Sequence, residues 1–375
     1  MLALGLESPA HAWTAVAGGA DIYAFLLGIL GLAELARAAG VFEALAQRAG
    51  NLAAGSQPRL FALVFVAGVL VTALLSNDTT VIVLTPAVFA ALDPLGLDPM
   101  PYLYACAFVA NAASFVLPFS NPANLIVYAG GLPTAAVWLR TYGAPAAVAL
   151  AATYVALRFA LRRSLRTPVP PATVAATPGP ATSTVSVALA ISAGALVVAA
   201  TLGWPVGMVA LLLAIASLCA AAFRDPTIPR AVAGGAKWSI VPLVAGLFVV
   251  VDALDRSGAL AAARELPLLA QGLGAPGGAL ALAFGSALAS NVANNLPVAL
   301  AARYALHGAP PASLHAALVG IDLGPNLSLT GSLATLLWLV MLRREGREVG
   351  ALTFLRLGAI VALPALAASA LALLI

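Results

Sequence analysis

The chain is short of charge. Only 9% of its 375 residues are Asp, Glu, Lys or Arg, against 62% hydrophobic residues. A soluble domain carries about 25% charged residues, so a water-soluble globule of this size would lack the polar surface to cover itself. A mean hydropathy of +1.02 excludes a disordered chain as well. Histidine is scarce, at three residues, and cysteine scarcer, with Cys106 and Cys219 both inside apolar runs. There is no CxxC and no Cys/His cluster, so neither a disulfide framework nor a metal site is expected, and no cofactor is implied. The net charge of +4 is spread along short loops, which argues against nucleic acid as a partner. No basic stretch precedes the first apolar run, and that run reads as a retained helix, not a cleaved signal peptide.

What is abundant is long apolar sequence rich in Leu, Ala, Val and Gly. The runs are far longer than the alternating segments of about 10 residues that build a transmembrane barrel. Helices are therefore the spanning element, and the expected fold is an all-α polytopic membrane protein in a lipid bilayer. About ten apolar segments are present, at 12–35, 60–92, 101–131, 134–160, 184–201, 204–223, 238–254, 275–303, 313–342 and 350–374. The stretch 162–183 holds five prolines and four threonines, a composition that neither packs nor spans. It divides the chain into a first membrane repeat at 1–161, a linker at 162–183 and a second repeat at 184–375.

The two parts resemble each other. Gly28, Glu34 and Gly40 are answered by Gly246, Asp252 and Gly258 at an offset of 218, and Ser76-Asn77 by Ser290-Asn291 at 214. A proline follows each polar pair (Pro86, Pro297), and a second broken helix follows each, at Asn121 and Asn326. This is the internal repeat of a transporter, not a chance recurrence of Gly and Ala. Charge supports an inverted arrangement. If 60–92 and 275–303 are re-entrant hairpins and the linker is cytoplasmic, the inside holds Arg37, Arg48, Arg59, Arg158, Arg162, Arg163, Arg166, Arg224, Arg230, Lys237, Arg343, Arg344, Arg347 and Arg356. The outside holds Arg140, Arg256, Arg264 and Arg303. That bias is what the positive-inside rule demands.

Four polar breaks interrupt the apolar runs, and broken backbone at membrane depth is tolerated only against protein or a water-filled cavity. The first is SNDTTVIVLTP at 76–86, with Ser76, Asn77, Asp78 and Thr79 between two apolar arms. A plain surface loop capped by Asn77 or Asp78 would be the bland reading; the apolar arms favour a hairpin tip. Asp78 is the first candidate for a proton-carrying group, because a carboxyl taken out of water favours its neutral form. The second break carries Ser120, Asn121 and Asn124 between and beside Pro118 and Pro122, where proline frees upstream carbonyls. The third, SNVANNLPVAL, carries Ser290, Asn291, Asn294 and Asn295. The fourth sets Asp322, Asn326 and Thr330 around Gly324-Pro325, a second proton-coupling candidate in Asp322. Other polar residues read more simply. Glu34 and Asp252 are expected to pair with Arg37 and Arg256, the three histidines to lie at the surface, and the five tryptophans to mark an interfacial belt.

At these residues the chain resembles a known family. SNDTTVIVLTP, SNVANNLPVAL and GIDLGPNLSLTGSLATLLWL are similar to the motifs of the bacterial ArsB-type arsenite/antimonite efflux permeases. That family belongs to an ion-transporter superfamily that includes citrate and dicarboxylate carriers and some sodium/proton antiporters. The resemblance covers about residues 20 to 375. It implies a cell inner-membrane carrier that exports trivalent arsenic or antimony using the proton gradient, an arrangement of scaffold and transport parts, a homodimer contact, and in some members a soluble arsenite-stimulated ATPase. Asn77, Asp78, Asn121, Asn294, Asn295, Asp322 and Asn326 fall on matching motif positions, whereas Asn111 stands where better-known members carry an acidic residue.

Arsenous acid is a neutral trihydroxide at neutral pH, and Asn, Ser and Thr offer it hydrogen-bond partners. Two cysteines cannot form a three-thiol trap, so Cys106 and Cys219 are expected to be dispensable. A carrier for a carboxylate, or for sodium exchanged against protons, is the alternative; no Arg or Lys lies in the four breaks, but half-helix N-termini could replace one. An intramembrane enzyme is disfavoured because no HExxH occurs and no histidine lies in a break. A passive channel is a further reading, distinguished by flux without proton exchange.

Overall fold

The computed structural model describes residues 8–93, 96–166, 179, 181–235 and 238–375. Most of the linker, and Lys237, lie outside the described residues. Every regular element among the described residues is a helix. The first part runs α1 (Pro9–Ala17), α2 (Ala20–Ala38), α3 (Val41–Ala53), α4 (Gln57–Leu74), α5 (Asn77–Leu92), α6 (Met100–Ala112), α7 (Pro122–Val127) and α8 (Ala135–Ala160). The second begins with α9 (Thr182–Leu202) and α10 (Val206–Ala222), then α11 (Ile228–Gly235), α12 (Ile240–Arg256), α13 (Ala261–Arg264) and α14 (Leu266–Gln271). It continues with α15 (Gly274–Ala293), α16 (Asn295–Ala305), α17 (Pro311–Leu323), a 3-10 turn Gly324–Leu327, α18 (Leu333–Arg344) and α19 (Ala351–Ala372). The protein is an all-α polytopic membrane protein.

Helices α4, α8, α9 and α19 are each long and apolar enough to cross a bilayer, as are α1 and α2 together across a 53° bend. The lipid-facing sides are apolar: Val187 and Ile191 of α9 and Leu212 and Ile215 of α10 are exposed. Where helices meet, small residues let backbones approach. A Cβ on Gly28 of α2 would collide with the Ala210 carbonyl carbon of α10. Asp21 of α2 adds a cap to α10, accepting from the Gly207 and Met208 amides at 3.3 and 3.1 Å.

The repeat is visible element by element. Glu34 pairs with Arg37 at 2.6 Å near the end of α2, and Asp252 with Arg256 at 2.7 Å near the end of α12, as expected. Each half has a helix–break–helix unit, α4/α5 and α15/α16, followed by a discontinuous helix, α6/α7 and α17/α18. Helices α6 and α17 each have 13 residues, about 20 Å, too short for a hydrocarbon core of about 30 Å.

Two equivalences differ from the sequence reading. Ser290 and Asn291 lie in the last turn of α15, and the residue that caps α16 is Asn294, as Ser76 caps α5. Asn77 therefore corresponds to Asn295, at the same offset of 218 that relates Glu34 to Asp252. The Asn121 cap of α7 corresponds to the Ser332 cap of α18, not to Asn326. A stretch with three asparagines aligns in several registers by residue type, and only helix caps select one. The tryptophan belt also fails at two positions: Trp138 and Trp338 are wholly buried, and Trp138 Nε1 donates to the Phe115 carbonyl at 3.0 Å.

Candidate substrate and ion site

The breaks meet. At the first tip the Ser76 hydroxyl accepts from the Thr79 amide at 3.2 Å, and residues 76–80 are all buried. The Asn77 amide donates to the Ser120 carbonyl at 3.1 Å, tying this tip to the discontinuous helix of its own half. The second half repeats the contact: the Asn295 amide donates to the Gly331 carbonyl at 2.9 Å. Asp78 sits buried in the first turn of α5, its amide donating to Asn77 Oδ1 at 2.9 Å. An acidic residue in a first helical turn suits the helix dipole.

The discontinuous helices then cross-link the halves. Asn121, which caps α7 through its Oδ1, donates from Nδ2 to Asp322 Oδ1 at 2.7 Å. Asp322 is fully buried, and among the described residues its Oδ2 has no partner of good hydrogen-bond geometry. The Ser114 hydroxyl, which donates to the Asn111 carbonyl at 2.7 Å, lies beside the same carboxylate. On the other side, Asn111 Nδ2 donates to Asn326 Oδ1 at 2.9 Å, and Ser332 donates to Asn111 Oδ1 at 3.1 Å. Asn326 Nδ2 reaches the Phe108 carbonyl at 3.1 Å. Asn326 is thus a brace between halves with both ends of its amide engaged.

The remaining candidates divide by whether their polar atoms are satisfied. Ser120 is saturated, donating to the Ala73 carbonyl at 3.0 Å and accepting from the Leu117 amide at 3.1 Å. Asn294 adopts φ 74° at the second tip, and its Nδ2 donates to the Thr330 carbonyl at 3.1 Å. Thr330 is exposed, its hydroxyl donating to the Asn291 carbonyl at 3.3 Å. Asn291 Nδ2 donates to the Ala287 and Gly324 carbonyls, both at 2.8 Å, and Asn124 Nδ2 to the Ser114 carbonyl at 2.9 Å. Among the described residues, their Oδ1 atoms, with Asn295 Oδ1, Ser290 Oγ and Asp322 Oδ2, are buried without a partner. Unpaired buried acceptors of this kind are uncommon in folded proteins, and these belong to residues of the polar breaks.

Sequence reasoning singled out the candidate residues of the four breaks; Asn111 entered only as a departure from the family motif, and Ser114, Ser332 and Thr335, which accepts from Asn111 Nδ2 at 3.3 Å, had no assigned role. Asn111 was legible as a polar residue in an apolar helix; its partners, more than 200 positions away, were not.

Two cavities open elsewhere on α4 and α5. One of about 510 Å³ opens beside α5 and is lined by Glu34, Arg37, Pro86, Phe89, Gly235 and Arg344, on the face the charge count expects inside. A larger one, about 560 Å³, lies among α3, α4 and α9, with a mostly apolar lining that includes Leu74 and Leu75 just before the first break.

Polar broken helices buried inside an apolar helical bundle, repeated in two halves, define an integral-membrane transporter. The comparisons with known proteins agree. The profile of the citrate transporter family CitMHS matches residues 1–322, and the chain belongs to that family. The arsenical pump membrane protein of Yersinia enterocolitica is 29% identical over 371 residues, covering 92% of this chain and 83% of that protein. The arsenical pump membrane protein of Escherichia coli K12 is 28% identical over 366 residues with the same coverage. The fold is similar to that of the Alcanivorax borkumensis YdaH transporter, with a TM-score of 0.59 at 17% identity, covering 97% of this chain and 86% of that one.

Proposed function

We propose that this protein exports arsenite or antimonite across the inner membrane as the neutral trihydroxide, in exchange for protons. The observation that carries the reading is the kind of atom left unpaired at the breaks. Asn124 and Asn291 cannot turn their amides around, because their nitrogens are held by carbonyl oxygens. Their free oxygens are acceptors, as is Asp322 Oδ2. A trihydroxide brings three O–H donors and no charge to bury. A carboxylate would bring acceptors to acceptors, in breaks that contain no Lys or Arg.

Asp322 is the proposed proton carrier, with Asp78 a second. A buried carboxylate with one oxygen unpaired is poorly stabilised as an anion, and either a proton or a donor ligand relieves it. The two demands compete for one oxygen, which is what an exchanger requires. The linker is assigned to the cytoplasm, which makes the 510 Å³ cavity the inner vestibule.

The test is arsenite uptake into everted membrane vesicles energised by respiration, with and without a protonophore and with citrate as competitor. Uptake that collapses with the protonophore and ignores citrate supports the reading. Citrate uptake without arsenite uptake would transfer it to a carboxylate, for which the N-termini of α5, α16 and α18 would be the attractive groups.

A further inference from the structure

The two halves of the repeat are closed differently. With the register set by the caps, Asn77 and Asn295 open α5 and α16 at an offset of 218, the offset that also relates Glu34 to Asp252. The same offset puts Pro86 opposite Tyr304, not opposite Pro297 as residue type suggests. Each half therefore has a carboxylate on α2 or α12 and one matching position on the outgoing arm of its hairpin.

In the second half that position holds a donor. The Tyr304 hydroxyl donates to Asp252 Oδ1 at 3.3 Å, while Arg256 holds Asp252 Oδ2 at 2.7 Å. The Tyr304 ring is half-buried, with the Arg303 guanidinium over it. The bond ties α16 to α12 on the side that carries Arg256 and Arg303, the face the charge count expects outside. In the first half the position is a proline, whose side chain has no donor. Glu34 pairs with Arg37 of its own helix, and Glu34 and Pro86 both line the inner cavity of about 510 Å³. Ile82 lines that cavity too, whereas its equivalent at the same offset, Leu300, is 1% exposed. The outer face has a cavity of about 310 Å³, in which His315 is half-buried and not at the open surface as the sequence reading expects. It lies between α14, α15 and α17, not between α12 and α16.

In a carrier built from inverted repeats, opening one side and closing the other exchanges the conformations of the two halves. The latched half and the open half therefore define the state, closed outside and open inside. We propose that the Tyr304–Asp252 hydrogen bond is the outer latch of the transport cycle, made while the site faces inward and broken when α16 leaves α12 to open the outer side. The inner side lacks a matching latch because Pro86 stands in the equivalent position. Tyr304 acts on the placement of its hairpin and not on the substrate. The inference rests on the protein's being an alternating carrier, and on neither arsenite nor protons.

The test reads the reactivity of Leu300→Cys in a chain with Cys106→Ala and Cys219→Ala, using a charged, membrane-impermeant methanethiosulfonate added outside intact cells. Tyr304→Phe removes a single oxygen atom and is expected to raise the labelling rate about tenfold, the worth of a hydrogen bond to a charged group. Pro86→Tyr supplies a donor opposite Glu34 and is expected to raise the same outer rate about tenfold from the other side of the membrane, with Pro86→Phe within about twofold of the parent. An unchanged rate in Tyr304→Phe would overturn the latch. So would a rise in Tyr304→Phe with Pro86→Tyr no faster than Pro86→Phe, because loosened local packing predicts that result. Should neither Pro86 variant reach the membrane, Ile82→Cys is labelled in everted vesicles: Tyr304→Phe should slow it at least about twofold as the population leaves the inward-open state, and no slowing would overturn the latch. Fast labelling of both cysteines in the parent chain would show a pore open at both ends and overturn the carrier reading with it. The readout needs no substrate, so failure of arsenite uptake or of its proton dependence overturns the proposed function and leaves the latch standing.

Discussion

Asn111 and Asp322 occupy the same place in the two halves. Each is the last residue but one of a 13-residue helix that stops inside the bundle. Each accepts a hydrogen bond from the residue that caps the other half's outgoing segment: Asp322 from Asn121 at 2.7 Å, Asn111 from Ser332 at 3.1 Å. The two-fold relation is therefore kept in geometry and broken in charge, with a carboxylate on one side and a carboxamide on the other.

That asymmetry makes the charge movable. Asp322→Asn is expected to abolish gradient-driven uptake, because an amide cannot take up and release the proton. Adding Asn111→Asp to it places a carboxylate beside Ser332 and Thr335, which can donate to it. Uptake by the double variant is expected to recover to about a tenth of wild type or more, a regain of at least ~1 kcal/mol over the single variant. A double variant as inactive as Asp322→Asn would show that the position of the charge, not its presence, matters.

Asp78 gives a second, independent expectation. Asp78→Asn is nearly isosteric and keeps an acceptor in the first turn of α5. With Asp78 a second carrier of the coupling proton, Asp78→Asn is expected to lose gradient-driven uptake while arsenite exchange survives. Uptake at the wild-type rate would assign coupling to Asp322 without it.

Gly331 is where the second tip is seated. Its carbonyl accepts from the Asn295 amide, and a Cβ there would lie 2.6 Å from Pro325 Cα and 2.9 Å from Asn291 Oδ1. Gly331→Ala must push the Pro325 backbone or displace one of the orphan acceptors. Overpacking of this kind costs about 1–3 kcal/mol, so a lower unfolding temperature in detergent and a rise in the apparent KM for arsenite are expected. Unaltered stability and KM would mean that the tip moves freely and that Asn291 does not face the substrate.

The cysteines are expected to be silent. Cys106 is fully buried in α6 and Cys219 is exposed on α10, on different helices and outside every break. A chain with Cys106→Ala and Cys219→Ala should keep arsenite uptake within about twofold of wild type, because neither can complete a thiolate trap for a soft centre. Loss of uptake with retained expression would reopen thiol ligation.

Much of the candidate site was legible because a bilayer penalises polar residues so heavily. Asn77, Asp78, Asn121, Asn294, Asn295 and Asp322 stood out as interruptions in apolar runs, and all six lie where helices stop or start inside the bundle. What the sequence could not separate was binding from bracing. Asn326 and Asn291 look alike in an apolar context, yet the amide of the first is engaged at both ends and that of the second at one. The difference depends on Asn111 and Phe108, contributed by the other half of the chain. Registers were misjudged for a related reason: Ser290-Asn291 imitates Ser76-Asn77 in residue type, but the cap of α16 comes one turn later. Trp138, Trp338 and His315 were assigned to surfaces by their distance from run ends, a rule that ignores which side of a helix its neighbours cover.

The most direct test of the account is the proton movement that accompanies transport. Purified protein in liposomes would be loaded with arsenite on one side, with a pH-sensitive dye recording the lumen and the membrane potential clamped. The account predicts that arsenite leaving the lumen draws protons in, at a fixed ratio, and that Asp322→Asn removes the pH change. Arsenite efflux at an undiminished rate with no proton flux would contradict it and leave a passive pore.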